Sequence, residues 1–367
     1  MNWALYNLTT TTQGGGVEMS VWAIAKELDR RGHGVTILGG RSDRPLPPEA
    51  QGLRVRLYPF TPREKFPDLG SRARKLMERL SFARRAVAGL LEGGYQRVLA
   101  FKSYDLAPVL WAGRRCGARI GFLSGGGETY PGFASLARRL DYLAAVSAFT
   151  ARQMAVARGV EPVVNHLGVD LERFRPVEPD PELAARAGLT PGQPVLVCAV
   201  RLVALKGVQR IINALAILEN RHPDLRLVVA GEGPYRDELK SRARQAGVAK
   251  RLSLLGFVPQ TRLAGFYALG DLAVFPSMGE EALGLAIAEA MACGRPVVAS
   301  DLGGVPEVVG DCGLLVPAKD DQALAAAIDD LLGDPARREV LARNGRVRVA
   351  RLFSWAACVD RLEEGLA

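Results

Sequence analysis

The sequence has 367 residues, of which 48% are apolar, and its formal net charge is +9 at pH 7. This length exceeds a usual single-domain core, so two domains are expected, and the apolar content is enough to build both. Five scattered cysteines without a CxxC pair argue against a disulfide framework, and three dispersed histidines argue against a metal cluster. No apolar run reaches the ~18 residues that cross a bilayer, and no leader with a cleavage site is recognisable, so we expect a cytoplasmic protein.

The positive charge is concentrated in the first half of the chain. Residues 1–175 contain 26 Lys and Arg against 15 Asp and Glu, whereas residues 176–367 contain 22 against 24. This asymmetry favours an anionic partner, either nucleic acid, a phospholipid surface or a phosphorylated acceptor. An arginine-rich composition without functional meaning explains it equally well.

Strands and helices alternate in the first half. An apolar strand at 3–8, a glycine-rich turn, a helix at about 17–31 and a strand at 35–38 predict one βαβ unit. The short apolar runs that follow are typical of parallel strands covered on both faces. They lie at 97–101, 119–123 and 142–147.

The segment 71–91 has the periodicity of an amphipathic helix with basic residues on both sides of its apolar stripe. Two interpretations stay open: a surface helix that buries the stripe in the core, or a helix that lies on an anionic membrane. The stripe consists of Ala73, Leu76, Met77, Leu80, Ala83, Val87 and Leu91.

Five prolines in residues 176–194 predict a linker, and a second series of strands and helices follows it. We therefore predict an α/β protein with two Rossmann-like domains, 1–175 and 176–352, whose parallel sheets face each other across a cleft. A C-terminal helix at about 353–367 is expected to pack back on the first domain. The strands predicted for the second domain lie at 195–200, 225–231, 251–257, 272–277 and 296–300.

Gly14, Gly15 and Gly16 lie between the first strand and the first helix. At this position, backbone amides at a helix N-terminus can approach an anion. A dinucleotide fingerprint would be a tighter G-x-G-x-x-G with an acid about 20 residues further on, and the sequence fits it poorly. The alternative is a glycine turn that only serves the chain geometry.

Arg201 and Lys206 follow the first strand of the second domain. Open α/β sheets bind ligands at the carboxyl ends of their strands, and two cations there would neutralise a diphosphate and stabilise charge on a leaving group. Two solvated basic side chains in a surface loop are the simpler alternative.

Glu281 and Glu289 lie eight residues apart on a loop that enters a helix. If all eight residues are helical, the two acids are roughly 12 Å apart along the axis. Carboxylates that hydrolyse one glycosidic bond lie roughly 5 to 9.5 Å apart, so a shared bond is disfavoured. Each acid could instead bind hydroxyls at a different place on one long ligand, with a phosphate between them on the amides of Gly284 and Leu285.

The joint occurrence of these motifs resembles the retaining glycosyltransferases of family 4, which have the GT-B fold. The resemblance covers nearly the whole chain and is strongest over 195–317. Besides the glycines after the first strand, it rests on RLVALKG at 201–207, AGEGP at 230–234, LLGFVP at 254–259, FPSMGEEALGLAIAEAMACGRPVVAS at 275–300 and GGVPEVV at 303–309.

The resemblance implies a site for a nucleotide diphosphate sugar. Arg201, Lys206 and Glu281 would be the catalytic residues, with the two cations on the diphosphate and the acid on the hydroxyls of the transferred sugar. Glu289 would bind the ribose hydroxyls, and the amides of Gly284 and Leu285 would bind the distal phosphate. The base would lie beside Phe257 and Val258. Gly15 and Gly16 would close over the donor.

The first domain departs from the family pattern. Many members carry a histidine after a first-domain strand, whereas this chain has FKSYD and GFLSGGGETY at the corresponding places. Lys102, Ser103, Gly126 and Glu128 are the candidate acceptor-side residues in its stead. The acceptor implied is a glycan or a lipid-linked or phosphorylated glycan at the inner membrane surface, as in polysaccharide, lipopolysaccharide or glycolipid synthesis.

The predicted reaction moves a sugar from a UDP- or GDP-linked donor to an acceptor hydroxyl with retention of the anomeric configuration. No D-x-D pattern occurs in the sequence, so we expect neither a metal ion nor a cofactor, and basic side chains with a helix N-terminus take the cation's place. A nucleotide-sugar epimerase that uses the same donor site is the alternative. A dehydrogenase is disfavoured by the missing ribose acid, and a nucleic-acid-binding module by the absence of interleaved aromatic residues.

Overall fold

A computed structural model describes residues 1–13, 15–126 and 129–367. The chain forms two compact units, one from Met1–Gly168 with Trp355–Ala367 and the other from Val169–Ser354. The division lies before residue 175 because Val169 already belongs to the second unit, where its amide donates to the Phe353 carbonyl at 2.7 Å. Each unit is a Rossmann-like α/β domain with a parallel sheet, as the predicted fold class requires.

The sheet of the first unit has seven parallel strands within the described residues, in the order β3-β2-β1-β4-β5-β6-β7. Sequence reasoning missed β3 and β7, because arginines occupy alternate positions of the edge strand β3 and β7 has only two residues. The strands are β1 Asn2–Tyr6, β2 Gly34–Gly40, β3 Arg54–Tyr58, β4 Arg97–Ala100, β5 Arg119–Ser124, β6 Tyr142–Ala145 and β7 Val163–Val164.

Helices connect these strands and cover the sheet. The core between the sheet and the helices contains Tyr6, Phe82, Val98, Ile120 and Phe122, each no more than 2% exposed. The helices are α1 Gly16–Arg30, α2 Ser71–Glu92, α3 Leu106–Arg115, α4 Phe133–Ala137 and α5 Ala148–Arg158.

The second unit has a six-stranded parallel sheet in the part of the chain that the structure describes, in the order β10-β9-β8-β11-β12-β13. Five of its strands match the predicted runs, and the three-residue strand β13 was missed. The strands are β8 Val195–Ala199, β9 Arg226–Ala230, β10 Leu252–Gly256, β11 Leu272–Phe275, β12 Val297–Ser300 and β13 Leu314–Val316.

The segment 176–194 is not the extended linker that its prolines predicted. It contains helix α6, which Asp180 caps by accepting a hydrogen bond from the Leu183 amide at 3.0 Å. Arg262 binds the same carboxylate through two nitrogens at 2.8 Å each, so the segment is anchored within the second unit. The helices of this unit are α6 Pro181–Ala187, α7 Val208–Ile217, α8 Arg236–Gln245, α9 Gln260–Tyr267, α10 Leu285–Ala292, α11 Val305–Val309, α12 Asp321–Gly333 and α13 Pro335–Leu352.

The last helix, α14 (Trp355–Gly365), packs on α1 of the first unit. Arg31 donates from Nη1 to Asp360 Oδ1 at 2.7 Å and to Glu363 Oε2 at 2.5 Å. His33 Nε2 lies 2.5 Å from Glu363 Oε1, so one acid of α14 contacts two basic residues at the junction of α1 and β2. These contacts join residues that are more than 300 positions apart in the chain.

Helix α2 buries only part of the apolar stripe in its sequence. Leu76, Leu80 and Leu91 are 40%, 50% and 39% exposed, whereas Ala83 is buried and Val87 packs against the core, so the stripe fills the core only in part. The helix is rotated so that Arg79 pairs with the buried Asp105 and Phe82 enters the core. Its buried residues are Glu78, Arg79, Phe82, Ala83, Ala86, Gly89 and Leu90. Within the described residues, none of the helices is both long and apolar enough to span a bilayer.

Candidate active site

The loops that follow β8 and β11 bring Lys206 and Glu281 together. These strands are neighbours at the point where the strand order of the second sheet reverses, which is where open α/β sheets bind ligands. Lys206 Nζ lies 2.5 Å from Glu281 Oε1, and Ser277 Oγ donates to the same oxygen at 2.8 Å. Both charged side chains remain partly exposed, so the pair is reachable by a ligand.

A glycine allows the two loops to approach so closely. Gly207 has a φ of 75°, and a Cβ there would lie 1.8 Å from the Pro276 carbonyl oxygen. The Met278 amide also donates to the Leu205 carbonyl at 2.7 Å, which joins the loops through their backbones. The position of Lys206 therefore depends on backbone contacts between loops that are distant in sequence.

The GGVPEVV segment holds the backbone of Glu281. The Gly304 amide donates to the Glu281 carbonyl at 2.8 Å. Gly303, with a φ of 65°, passes so close that a Cβ would lie 2.5 Å from that carbonyl oxygen. These two glycines thus position the acid without contacting its carboxylate.

Arg201 lies at the same carboxyl edge, two residues beyond the end of β8. Its side chain is exposed, and within residues 1–13, 15–126 and 129–367 its guanidinium has no hydrogen-bond or ion-pair partner. The neighbouring Leu202 amide donates to the Glu232 carbonyl at 2.8 Å, which fixes the backbone beneath it. An unpaired guanidinium with five donors in a planar fork is suited to a diphosphate.

Glu289 lies in α10, but Glu281 does not. Because α10 begins at Leu285, the prediction that one continuous helix connects the two acids is wrong. The Tyr267 hydroxyl lies 3.5 Å from Glu289 Oε2. Burial raises the pKa of the Glu289 carboxyl to about 7, and the hydrogen bond from Tyr267 only partly offsets it.

Helix α10 starts with a glycine in the left-handed conformation. Gly284 has a φ of 97°, and its carbonyl accepts the Ile287 amide at 3.0 Å. The first amides of a helix have no intrahelical acceptor, so those at Leu285 and Ala286 point outward from the N-terminus. This end of α10 is thus a favourable position for an anion beside Glu281.

Phe257 and Val258 follow β10 at the same edge. Phe257 is 69% exposed, and its amide donates to Glu232 Oε1 at 3.4 Å. Val258 is only 5% exposed, so it offers a ligand its backbone more than its side chain. An exposed aromatic ring beside this backbone can stack on a flat base.

In the first unit, Gly15 and Gly16 lie at the N-terminus of α1 and both are exposed. Lys102 follows β4, the strand next to β1, so it lies at the same edge of the sheet. The predicted Gly14 and Glu128 lie outside the described residues.

The two other acceptor-side candidates lie in loops after β4 and β5. Ser103 is 4% exposed, and its hydroxyl has no hydrogen-bond partner in the described part of the chain. The Tyr130 hydroxyl donates to the Ser103 carbonyl at 3.1 Å. Gly126 accepts from Ser124 Oγ through its carbonyl at 2.5 Å.

Sequence reasoning missed two polar residues in these clusters. Ser277 holds the Glu281 carboxylate, and Glu18, in the first turn of α1, lies beside Lys102. The signal for Ser277 was its place two residues after the end of a buried strand. Glu18 offered a weaker signal, since an acid in the first turn of a helix is common for dipole reasons alone.

Two family models match the chain in succession: "Glycosyltransferase Family 4" over residues 14–173 and "Glycosyl transferases group 1" over residues 180–348. A D-inositol 3-phosphate glycosyltransferase of Thermomonospora curvata is 34% identical over 396 residues, covering 96% of this chain and 90% of that protein. The chain belongs to glycosyltransferase family 4. This confirms the resemblance seen in the motifs.

Other relatives of this family 4 glycosyltransferase match a shorter part. A GDP-mannose-dependent alpha-(1-6)-phosphatidylinositol monomannoside mannosyltransferase of Mycolicibacterium smegmatis is 36% identical over 240 residues. That match covers 62% of this chain and 62% of the relative's length.

Solved structures confirm the GT-B fold. Anabaena HepE in complex with UDP and glucose is 22% identical with a TM-score of 0.78, covering 99% of this chain and 98% of that one. A glycosyltransferase from Rickettsia africae is 19% identical with a TM-score of 0.83, covering 99% and 97%.

Proposed function

We propose that this protein transfers a hexosyl unit from a nucleotide diphosphate sugar to an acceptor hydroxyl, with retention of the anomeric configuration and without a metal ion. The observation that supports it most is the Lys206 and Glu281 pair at the strand-order reversal, 2.5 Å apart and partly exposed. At this edge of the second sheet, Lys206 can bind a phosphate and Glu281 can bind sugar hydroxyls. The N-terminal amides of α10, which have no acceptor within the helix, lie at the same edge.

Each predicted donor residue of the second unit has a role in this proposal. Arg201 and Lys206 bind the diphosphate, and Glu281 accepts hydrogen bonds from the hydroxyls of the transferred sugar. The amides of Gly284 and Leu285 bind the distal phosphate at the positive end of α10.

The other donor contacts concern the nucleoside. Glu289 binds the ribose hydroxyls, and the base lies against Phe257 and the backbone of Val258.

The reaction breaks the bond between the anomeric carbon and a phosphate oxygen and forms one between that carbon and the acceptor oxygen. The bonding electrons leave with the phosphate, where Lys206 and Arg201 stabilise the growing negative charge. The departing phosphate oxygen takes the acceptor proton on the same face, so no side chain serves as a nucleophile. This route requires positive charge beside the leaving group, which the two cations and α10 supply.

Relatives suggest the donor and acceptor classes. The mannosyltransferase relative is named for GDP-mannose and a phosphatidylinositol glycolipid, and the full-length relative for inositol 3-phosphate. We propose a GDP- or UDP-linked hexose as donor and a lipid-linked or phosphorylated polyol as acceptor, in glycolipid or cell-envelope polysaccharide synthesis.

A screen of nucleotide sugars tests this function. The protein is incubated with GDP-mannose or UDP-glucose and with dioctanoyl phosphatidylinositol, in the presence and absence of EDTA, and the product is analysed by mass spectrometry and NMR. An α-linked product from the α-linked donor at the same rate with EDTA is the expected result. An inverted product, or a rate abolished by EDTA and restored by Mg²⁺, contradicts the mechanism.

Donor affinity is expected to depend on the ionisation of Glu289. Only the ionised carboxyl accepts hydrogen bonds from both ribose hydroxyls, and its pKa of about 7 places the change near neutrality. The donor KM should therefore rise as the pH falls from 8 to 6, whereas kcat changes less. Steady-state kinetics between pH 6 and pH 8 measure this change in the donor KM. The variant Glu289→Gln should have a high donor KM that no longer depends on pH. The same pH dependence in the variant would contradict the assignment.

We also propose that α2 attaches the protein to the inner face of an anionic membrane. Leu76, Leu80 and Leu91 are exposed on one side of this helix, and the exposed Arg72 and Arg84 are near them. Apolar side chains with basic neighbours bind the boundary between lipid headgroups and acyl chains. The net positive charge of the first half supports the same surface.

Vesicle binding measures this attachment. Leu76→Asp with Leu80→Asp should weaken binding to vesicles of phosphatidylglycerol and phosphatidylcholine about tenfold or more, because two apolar contacts are lost and two negative charges added. Val156→Asp in α5, where the valine is 90% exposed, is the matched control and should change little. Equal loss in both variants, or no binding by the unmodified protein, would contradict the proposal.

A further inference from the structure

A polar cavity lies at the amino ends of the strands of the first sheet. It has a volume of about 390 Å³ and is lined by residues of β1, β2 and β3 and of the turn between α2 and β4. This volume suits a compact small molecule. Lys102 and Ser103 follow β4 at the other edge of the sheet, and a strand as long as β1 separates the two edges by roughly 15 Å. The cavity is therefore distinct from the acceptor-side candidates.

Two arginines line this cavity from the edge strand. Arg54 and Arg56 are alternate residues of β3, so both side chains lie on one face of the sheet, and both are exposed. In the part of the chain that the structure describes, neither guanidinium pairs with a carboxylate or caps a carbonyl at the end of α2. Arg56 interacts with the Tyr58 hydroxyl, which leaves its charge uncompensated. Two guanidinium groups on one face are suited to the oxygens of a phosphate.

Two buried hydroxyl-bearing side chains line the same cavity. Thr36 on β2 is 7% exposed and is the register partner of Arg54, and Tyr95 before β4 is 5% exposed. Among the described residues, neither hydroxyl group has a hydrogen-bond partner. Because buried polar groups are normally paired, these two hydroxyl groups indicate a polar ligand in the cavity.

Two glycines keep the cavity open. A Cβ on Gly34, the first residue of β2, would lie 2.4 Å from Asn2 Oδ1. A Cβ on Gly93, directly after α2, would lie 2.0 Å from Tyr95 Cε2. A larger residue at either position would therefore displace a side chain of the cavity wall.

Protection of the sheet edge explains only part of this arrangement. Edge strands often carry charged side chains that prevent pairing with another chain. That role accounts for arginines on β3, but it requires neither a cavity beside them nor an unpaired hydroxyl on β2, which is an interior strand of the sheet.

We propose that this cavity binds the phosphate monoester of a sugar or another small polyol. Arg54 and Arg56 bind the phosphate, and the Thr36 hydroxyl donates to one of its oxygens. The Asn2 side chain, which can both donate and accept, binds a hydroxyl of the organic part. This site is separate from sugar transfer, so its ligand can be studied in the absence of donor and acceptor.

Isothermal titration calorimetry with D-glucose 6-phosphate, inorganic phosphate and D-glucose at constant ionic strength tests the site. The ester should bind saturably and more tightly than inorganic phosphate, and D-glucose should not bind. Arg54→Gln and Arg56→Gln should each raise the Kd of the ester about tenfold or more, because each removes a charged hydrogen bond. Arg152→Gln in α5 removes an exposed charge elsewhere in the same unit and is the matched control, with a Kd within about twofold of the unmodified protein.

Two further variants separate binding from a structural role. Thr36→Val should raise the Kd severalfold without lowering the Tm of the unliganded protein, because the hydroxyl has no partner there to lose. Glu92→Gln should instead lower the Kd. Glu92 ends α2, and its charge acts on Tyr58 beside Arg56, so its removal takes away a repulsion on the phosphate. An unchanged Kd in Thr36→Val, or a weaker affinity in Glu92→Gln, contradicts the assigned contacts.

Three other results overturn the inference. The first is an absence of saturable ester binding up to about 10 mM. The second is an equal loss of affinity in Arg152→Gln and Arg54→Gln, which shows unspecific charge attraction. The third is a loss of affinity in Lys206→Ala but not in Arg54→Gln, which places the phosphate in the donor site. Since none of these measurements requires turnover, they leave the proposed function to its own test.

Discussion

Replacing Lys206 with alanine is expected to lower kcat by roughly 100- to 1,000-fold, because one charge that stabilises a developing anion is worth about 3 to 4 kcal/mol. Lys206 is the cation that the structure places against Glu281 at the strand-order reversal. Loss of this side chain leaves the departing diphosphate with Arg201 and the amides of α10 alone. The measurement is steady-state turnover of the donor and acceptor pair found in the screen.

The comparison with Glu281 makes this test specific. Glu281→Gln removes the partner charge but keeps the side chain's size, and the double variant with Lys206→Ala reports the coupling between the two residues. Because they share one site, the two losses should not add. Lys240→Ala in α8, where the lysine lies 3.4 Å from Asp237 on the surface, is the matched control and should retain activity. Near-normal turnover in Lys206→Ala would refute the assignment.

Replacing Arg79 with methionine is expected to destabilise the first unit by about 3 to 5 kcal/mol, since it leaves a buried charge without its partner. Asp105 is completely buried, and Arg79 Nη1 lies 2.8 Å from its Oδ2 and 3.2 Å from Asn7 Oδ1. Denaturant unfolding at pH 8 measures the loss. Arg114→Met is the control. Arg114 lies 3.3 Å from Asp141 and is half exposed, so this substitution should lower the free energy of unfolding by less than about 1 kcal/mol.

The loss should be smaller at acidic pH. Burial already raises the pKa of the Asp105 carboxyl in the native protein, and removal of Arg79 raises it further. With a folded-state pKa above the unfolded one, the folded state binds the proton more tightly, so stability falls as the pH rises between the two values. Adding Asp105→Asn to Arg79→Met should recover much of the stability at pH 8. An equal loss at pH 5 and pH 8 would contradict this account.

The sequence by itself determined most of the secondary structure and the order of the motifs. Long apolar runs predicted ten of the parallel strands, since a buried strand has to be apolar on both faces. The arginine-rich edge strand β3 and the short strands β7 and β13 carry too little of this signal. The positions of Arg201, Lys206 and Glu281 after strand ends also followed from the sequence, because the carboxyl ends of parallel strands share one edge.

Only the tertiary structure decided which of these side chains meet. The contact between Lys206 and Glu281 depends on the order of the strands and on the close approach at Gly207 and Gly303, neither of which periodicity can reveal. The same holds for α2, whose apolar stripe is buried only in part, at Ala83 and Val87. There the pairing of a buried arginine with a buried acid from another loop sets the rotation of the helix. Local patterns record which residues can be buried, whereas long-range packing and charge pairing decide which of them are.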